Sequence, residues 1–393
     1  MGHGRGGFYS PGFGTMRLMS DKGGLEGIVV ARSELCSIDG QKGILVYRGY
    51  DIRDLAEHAS YEEVVYLLLR GELPTAAELD SFRTELAEAR TVSGEAAQVI
   101  DLIAADAAPM EMLRTAVSAT SFDDPDKDSN DEDANQRKAL RLVAKIPTLI
   151  GRYQRRREGK EPVDPVPELD YATNFLAMLR GELPAREEAR TFDVAMILHA
   201  DHEMNASTFT ARVIASTLSD MHSAVVGAIG ALKGPLHGGA NEQVMKTLEA
   251  VGSVERVDED VRRRLAEHRR IMGFGHRVYK TMDPRAAILK QHARALSEHA
   301  DDSEPNWYEM SSRMEEIVLA EKGLYPNVDF YSASTYHYLG IPTDVFTTLF
   351  VASRVVGWAA HMIEQHRDNR LIRPNSEYVG PARRAYPIGL LGS

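Results

Sequence analysis

One cysteine, Cys36, stands in a chain of 393 residues, so no disulfide can close within it. That fits a reducing cytoplasm. Basic residues are outnumbered, 46 Lys and Arg against 58 Asp and Glu, for a net charge of −12. This balance argues against a nucleic-acid partner, and any anionic ligand must be met by locally placed arginines. No run approaches the roughly 18 apolar residues of a membrane helix, so no span is expected. Acids are missing altogether from Met1 to Ser20, a glycine-rich stretch with two arginines and no amphipathic period. Residues 1–23 read as a flexible tail rather than a transit peptide, with Met16 and Met19 as alternative starts. What remains, 43% hydrophobic and 26% charged, is the composition of a globular protein, and its length suggests two domains or one with an insertion.

The chain reads as mainly helical. Gly27-Ile28-Val29-Val30 and Gly43-Ile44-Leu45-Val46-Tyr47 are strand-like, with Asp39-Gly40 between them as the turn of a small N-terminal hairpin. Ser60-x-x-Glu63 and Thr75-x-x-Glu78 are capping boxes that open helices. Leu-Arg-Gly-Glu-Leu-Pro occurs at Leu69 to Pro74 and again at Leu179 to Pro184; each reads as a helix stop. Asp124, Asp126 and Asp128 imitate the start of an EF-hand, but Ser129 and Asn135 stand where glycine and glutamate belong, so Asp123 to Asp133 reads as a solvated acidic loop. A helix over about Ala139 to Tyr153 is followed by Arg155-Arg156-Arg157, an exposed basic end. Small residues over Val225 to Leu232 permit close helix packing, inside the chain or between subunits. From about Thr343 a helix is apolar on most faces and therefore buried.

Four places carry chemistry. In His199-Ala200-Asp201-His202-Glu203 two histidines at i and i+3 would share a helix face, as ligand-binding groups, a structural pair or, least of all, metal ligands. His237 sits in Lys233-Gly-Pro-Leu-His-Gly-Gly-Ala-Asn241, with a helix expected from Ala240; its pKa would be lowered there, leaving a neutral hydrogen-bond donor. His276 sits in Met272-Gly-Phe-Gly-His-Arg-Val-Tyr-Lys280, followed by Asp283-Pro284-Arg285, a setting for an anionic, phosphate-bearing ligand or simply a basic loop. Asp329 lies in Tyr325-Pro-Asn-Val-Asp-Phe-Tyr331, where an apolar setting raises a carboxylate's pKa and suits a general base. Arg354 falls inside the apolar helix and needs an anion, either a structural carboxylate or a substrate. Two glycine-flanked histidines, one aspartate and several arginines suggest an acid/base enzyme acting on a carboxylate.

These strings, with Ile-Arg-Pro-Asn-Ser-Glu-Tyr-Val-Gly at 372–380, occur in the order found in citrate synthases, and the chain from Gly24 onward closely resembles the shorter archaeal and bacterial type. The resemblance implies an all-α fold apart from small strands: a large domain (24–235 and 334–393) and a small domain (236–333) that closes over substrate. It implies an acyltransferase that condenses acetyl-CoA with oxaloacetate and hydrolyses citryl-CoA, with CoA as substrate and product, no tightly bound cofactor and no metal. Asp329 would take a proton from the acetyl methyl, His237 would bond the thioester oxygen, and His276 would polarise and protonate the oxaloacetate carbonyl. His202, Arg285 and Arg354 would bind oxaloacetate, joined by Arg373 from the neighbouring subunit of a cytoplasmic homodimer. Arg270, Ile271, Met272, Gly273 and Phe274 would line the CoA site, with Lys322 near its phosphates. The nearest rival, 2-methylcitrate synthase, would use propionyl-CoA and carry tyrosine in place of His199 and Tyr-Ser in place of His222-Ser223. A helical scaffold without activity is the reading of another class, and the intact His–His–Asp set counts against it.

Overall fold

The computed structural model describes residues 24–25, 27–92, 94–301 and 303–384. The expected tail 1–23 lies outside them. Contacts divide the chain into Met1–Ser33 and Glu34–Ser393. The described residues of the first unit form no helix or strand: Gly27 to Val30, expected as a strand, is irregular, and Val29 is almost fully exposed.

In the second unit the strands β1 (Cys36–Asp39), β2 (Ile44–Tyr47) and β3 (Tyr50–Asp51) form an antiparallel sheet in that order. The partner of β2 is therefore β1 and not the Gly27 run. Cys36 pairs with Tyr47 and Asp39 with Ile44. The expected Asp39-Gly40 turn joins them, Asp39 Oδ1 accepting from the amides of Gln41 and Lys42 at 3.1 Å.

The remaining regular structure is helical, sixteen α-helices from Ile52–His58 to Phe346–Arg367 among the described residues. Local chemistry sets many of their ends. Ser60 and Thr75 close the capping boxes of Tyr61–Arg70 and Ala76–Ala89, each side chain reciprocated by the glutamate three residues on. Gly71 at φ 101° and Gly181 at φ 85° take the left-handed cap that ends Tyr61–Arg70 and Tyr171–Arg180, as the doubled Leu-Arg-Gly-Glu-Leu-Pro string requires.

Phe346–Arg367 is the axis of the core. It packs on Tyr61–Arg70, Glu132–Arg157, Arg186–His199, Ala206–Ala215 and Met221–Leu232. With its preceding turn, Thr343–Arg367 is long and apolar enough to cross a membrane, but the apolar window lies wholly inside the protein. A second packing group joins Ala240–Val251, Pro284–Ser297, Trp307–Lys322 and Val328–Tyr338.

One surface reading holds in part and another is corrected. Asp123, Asp128, Asp131, Glu132 and Asp133 of the acidic segment are exposed, as expected of a solvated loop, but two of its acids turn inward. Asp124 is 3% exposed and bonded by Arg141, and Asp126 is shared between Arg137 and Arg141. Those hydrogen bonds hold Asp126 well below the usual carboxylate range. The basic end is not free, because Glu132–Arg157 runs on to include it. Arg155 bonds Arg180 O at 3.0 Å, Arg156 bonds Ile103 O, and Arg157 bonds Asp344. His222 leans on Asp124, Nε2 to Oδ2 3.5 Å, away from the histidines discussed below.

At Gly357 the central helix touches the 200–201 turn so closely that a Cβ would press on Ala200 O and lie 2.7 Å from Asp201 Oδ1. Gly357→Ala should therefore cost about 1–3 kcal/mol of stability, as overpacking does. The readout is a lower Tm in thermal unfolding; an unchanged Tm would show that the turn yields freely.

Candidate active site

Arg354 is 1% exposed, in the middle of the central helix. Its Nε donates to His199 O at 2.6 Å, and its guanidinium lies 4.8 Å from the centre of the Phe350 ring. Among the described residues no carboxylate lies within ion-pair distance of it, and Nη2 has no protein partner. Burial pushes its pKa below the ordinary guanidinium value, and Asp201 offsets part of that at a distance. Asp201 is itself unexposed. Burial would raise its pKa, but the ring of His361, then Arg354, hold it below the usual value. His361 Nε2 lies 3.4 Å from Asp201 Oδ1, and His361 Nδ1 faces Arg212 Nη1 at 3.2 Å. A guanidinium nitrogen only donates, so the His361 proton sits on Nε2, towards Asp201. Arg212 is in turn bound by Glu364 at 2.6 Å.

The turn carrying His202 is fixed from the sheet. Tyr47 Oη donates to Asp201 O at 2.8 Å and also lies near the last carbonyls of Arg186–His199. This ends the helix at His199, so His199 and His202 do not share a helix face as the i, i+3 spacing suggested. His202 is 8% exposed, its Nε2 3.3 Å from Tyr279 Oη and its ring 5.2 Å from that of His276. Cys36 is buried beside this turn; burial, then the charge of Asp201, push its thiol pKa well up.

His237 precedes the helix Ala240–Val251, as expected. Its Nε2 lies 3.3 Å from the Ser207 amide, which can only donate, and 2.8 Å from Ser207 Oγ. Nε2 therefore accepts, and the ring proton is on Nδ1. Burial, then Arg354, lower the pKa to about 4, so the ring is neutral; burial, more than the helix terminus, is the cause. His276 is the mirror case. Its Nδ1 accepts from the amides of Val278 and Tyr279 at 3.0 and 3.1 Å, leaving Nε2–H as the donor. Burial, then Arg285, lower its pKa to about 4. Two neutral imidazoles thus each present one fixed N–H.

Asp329 opens the helix Val328–Tyr338. Asn327 caps that helix through the Asp329 amide at 3.1 Å, and its own groups bond Gly273 O at 2.9 Å and Gly275 O at 3.0 Å. The loop of His276 and the helix of Asp329 are thereby one stitched unit, closed further by the Phe274–Pro326 bridge. Gly273, at φ 83°, admits no side chain there, because a Cβ would meet Val244 and Phe330 within 3.0 Å. Burial raises the Asp329 pKa to about 7, opposed by Arg285. Arg285 is 2% exposed and clasped by Asp283 at 3.0 and 2.8 Å. Asp283 Oδ2 also accepts from the Val328 amide at 3.2 Å.

His202, His237, His276, Arg285, Asp329 and Arg354 are thus drawn to one cleft. Ile271, Gly273 and Phe274 are buried beside it and Met272 is half-buried, whereas Arg270 and Lys322 are exposed. Arg373 is exposed on the C-terminal tail, where it bonds Asn375 at 3.4 Å and makes no ion pair within the described residues. Ser207, Tyr279, Asn327 and the Asp201–His361–Arg212 chain were not singled out in the sequence. Asp283 had a signal, an N-cap aspartate before a proline at the first helical position.

Because the Asp329 pKa is raised in the folded state, its favourable contribution is complete at acid pH and is lost as pH rises through about 7. Ionised, the carboxylate strains the fold; an asparagine cannot ionise. Asp329→Asn should raise Tm above wild type at pH near 8, with a smaller gain near pH 5. Equal Tm differences at both pH values, by scanning calorimetry, would show that burial does not perturb this carboxyl.

The model of the citrate synthase C-terminal domain family matches residues 24–375. A citrate synthase of Haloferax volcanii is 52% identical over 364 residues, 91% of this chain and 96% of the relative. Citrate synthase 2 of Bacillus subtilis is 50% identical, covering 92% of this chain and 97% of its own. A 2-methylcitrate synthase of Shewanella oneidensis matches at 42% over 93% and 96%. Among solved structures, a Thermoplasma acidophilum citrate synthase in ternary complex with carboxymethyl coenzyme A and oxaloacetate superposes with a TM-score of 0.87 at 36% identity, over 92% of this chain and 97% of that one. With the family match spanning the whole cleft and the relatives spanning nearly the whole chain, this protein belongs to the citrate synthase family.

Proposed function

We propose that the cleft condenses acetyl-CoA with oxaloacetate and hydrolyses the resulting citryl-CoA to citrate and CoA. The observation that carries this reading is Arg354: a buried guanidinium with a free Nη2, beside Arg285 and two neutral imidazole donors, fits a substrate carboxylate. Asp329, whose pKa of about 7 suits a base, takes a proton from the acetyl methyl. His237 Nδ1–H meets the thioester oxygen as negative charge develops there. His276 Nε2–H polarises the oxaloacetate carbonyl and delivers a proton as the carbon–carbon bond forms. Water then cleaves the citryl thioester. His202, Arg285 and Arg354 hold the oxaloacetate carboxylates. The 270–274 loop and Lys322 meet CoA, consistent with the placement of the loop beside the cleft and of Lys322 at an exposed helix end. Closure of a small domain, 236–333, on the rest of the chain would exclude water until the bond has formed. We place this enzyme in the cytoplasm as a homodimer in which Arg373 of each chain completes the other chain's site; the outward position of Arg373 supports that reading.

The test is thiol release with acetyl-CoA and oxaloacetate, run beside propionyl-CoA. Acetyl-CoA should give the higher kcat/KM; the reverse preference would make the enzyme a 2-methylcitrate synthase, since one methylene separates the two by only about 1–3 kcal/mol. Asp329→Asn should retain oxaloacetate binding and lose about 10²–10⁴ in kcat. More than a tenth of wild-type turnover would remove Asp329 from the base role.

The shared site has its own test. Arg373→Ala and Asp329→Asn should each silence a homodimer. Mixed under subunit exchange, they form heterodimers in which one site carries both lesions and the other neither, and activity should return to about a quarter of wild type for random reassortment. A mixture as inactive as its parents, with exchange verified, would place Arg373 in its own chain's site.

A further inference from the structure

Besides Arg354 Nη2, the buried polar atoms in and beside the cleft with no protein partner include Tyr336 Oη, His199 Nε2 and Asp329 Oδ1. Tyr336 and His199 are both 0% exposed. A buried polar atom without a partner is costly, and such atoms are rarely left so. Their hydrogen-bonding characters differ in a telling way. His199 Nδ1 lies 2.7 Å from Ala195 O, a carbonyl that can only accept, so the ring proton is on Nδ1. Burial lowers the His199 pKa to about 3, so the ring is neutral and Nε2 is a bare acceptor. Asp329 Oδ1, when ionised, is an acceptor. Tyr336 Oη brings a proton. One donor and two acceptors are the complement of a single water, which accepts one bond and gives two.

The placement allows it. Asp329 and Tyr336 lie seven residues apart on Val328–Tyr338, two turns along the same face. Helical side chains lean towards the N-terminus, which brings the tyrosine back towards the aspartate. After burial, the charge of Asp329 is what raises the Tyr336 pKa. The Tyr336 and His199 rings are 6.4 Å apart between centroids, tilted 35°, and their polar atoms do not bond each other directly. Phe192 and Phe346 pack on the Tyr336 ring and Phe350 on the His199 ring.

We infer that one buried water, held by Tyr336 Oη and donating to His199 Nε2 and Asp329 Oδ1, fixes the orientation of the catalytic carboxylate, so that Tyr336 is a positioning residue for the base. The inference rests on Asp329 being that base. The water gives the carboxylate a donor that its own helix does not supply on this side. The charged groups that face Asp329 are Arg285 and Asp283 from the start of Pro284–Ser297 and Arg354 from the central helix. Of the other elements packed on its helix, Ala240–Val251 has its Glu242 bonded to Thr347, and Trp307–Lys322 has its Glu315 paired with Lys290 and Tyr331. None of these changes when the Tyr336 hydroxyl is removed.

The experiment is Tyr336→Phe, with kcat measured across pH and Tm measured beside it. A donor to the charged carboxylate is lost, so the acid limb of kcat should move up by about one pH unit while the alkaline plateau stays near wild type. Tm should fall, because three satisfied groups lose their common partner. A purely structural hydroxyl would lower Tm without moving the limb, and an unhydrated one would raise Tm on deletion; either result overturns the inference. His199→Phe should move the limb the same way, and the double variant no further, since both remove one water. Additive shifts would overturn it. If either variant fails to fold, a crystal structure of the wild-type enzyme decides: one ordered water within hydrogen-bonding distance of all three atoms is expected, and a dry contact overturns the proposal. Asp329→Asn separates the two levels. If that variant is inactive and the Tyr336→Phe limb stays fixed, the water fails alone; if Asp329→Asn is active, the base assignment fails first.

Discussion

A permanent positive charge held inside an apolar helix is the constraint around which this fold is arranged. Taking a guanidinium out of water costs several kcal/mol, and the protein answers only in part. One nitrogen is bonded by the His199 carbonyl, one face of the group lies on Phe350, and Asp201 compensates from beyond ion-pair distance. Full neutralisation by a close carboxylate would have made a stable core and a useless site. Each supporting feature follows from leaving Arg354 incompletely satisfied. Gly357 makes room for Asp201, His361 and Arg212 anchor Asp201 from behind, and Tyr47 reaches from the sheet to fix the turn between them.

Beside this fixed charge the histidines contribute direction rather than charge. Backbone groups select the tautomer in each case: the Ser207 amide for His237, the Val278 and Tyr279 amides for His276, and the Ala195 carbonyl for His199. Because burial keeps all three neutral, substrate would meet the oriented N–H dipoles of His237 and His276, which need no rearrangement as charge develops on an oxygen. The carboxylate of Asp329 experiences the same dryness with the opposite sign, and gains basicity from it.

Much of this was legible in the sequence where the cause is local. Ser60 and Thr75 caps, the glycine stops at 71 and 181, and the burial of the final helix depend on residues within one or two turns. The resemblance to a known family, carried by five short strings, pointed to the site residues. What failed depends on partners far along the chain. His202 leaves the helix because Tyr47, more than 150 residues away, holds Asp201 O. Two acids of the otherwise exposed acidic segment, Asp124 and Asp126, turn inward because Arg137 and Arg141 fold back onto them. The first strand was misplaced because the Cys36–Asp39 run mixes polar and apolar residues, whereas Gly27 to Val30 is the more strand-like string. Tyr336 gave no signal, since a tyrosine in a helix reads as packing until its hydroxyl is found without a partner.

The single thiol has a consequence of its own. Each turnover of the proposed reaction releases CoA, itself a thiol, at the mouth of the cleft. A reactive cysteine there would invite mixed disulfides with product or with oxidised CoA, poisoning the enzyme in proportion to its own flux. Cys36 is buried in β1 beside Asp201, and both burial and that neighbouring charge keep its sulfur protonated. Exchange requires a thiolate with access to its partner, and Cys36 has neither. The carboxylate that helps hold Arg354 in place thus also keeps the protein's one sulfhydryl out of the redox chemistry of its product.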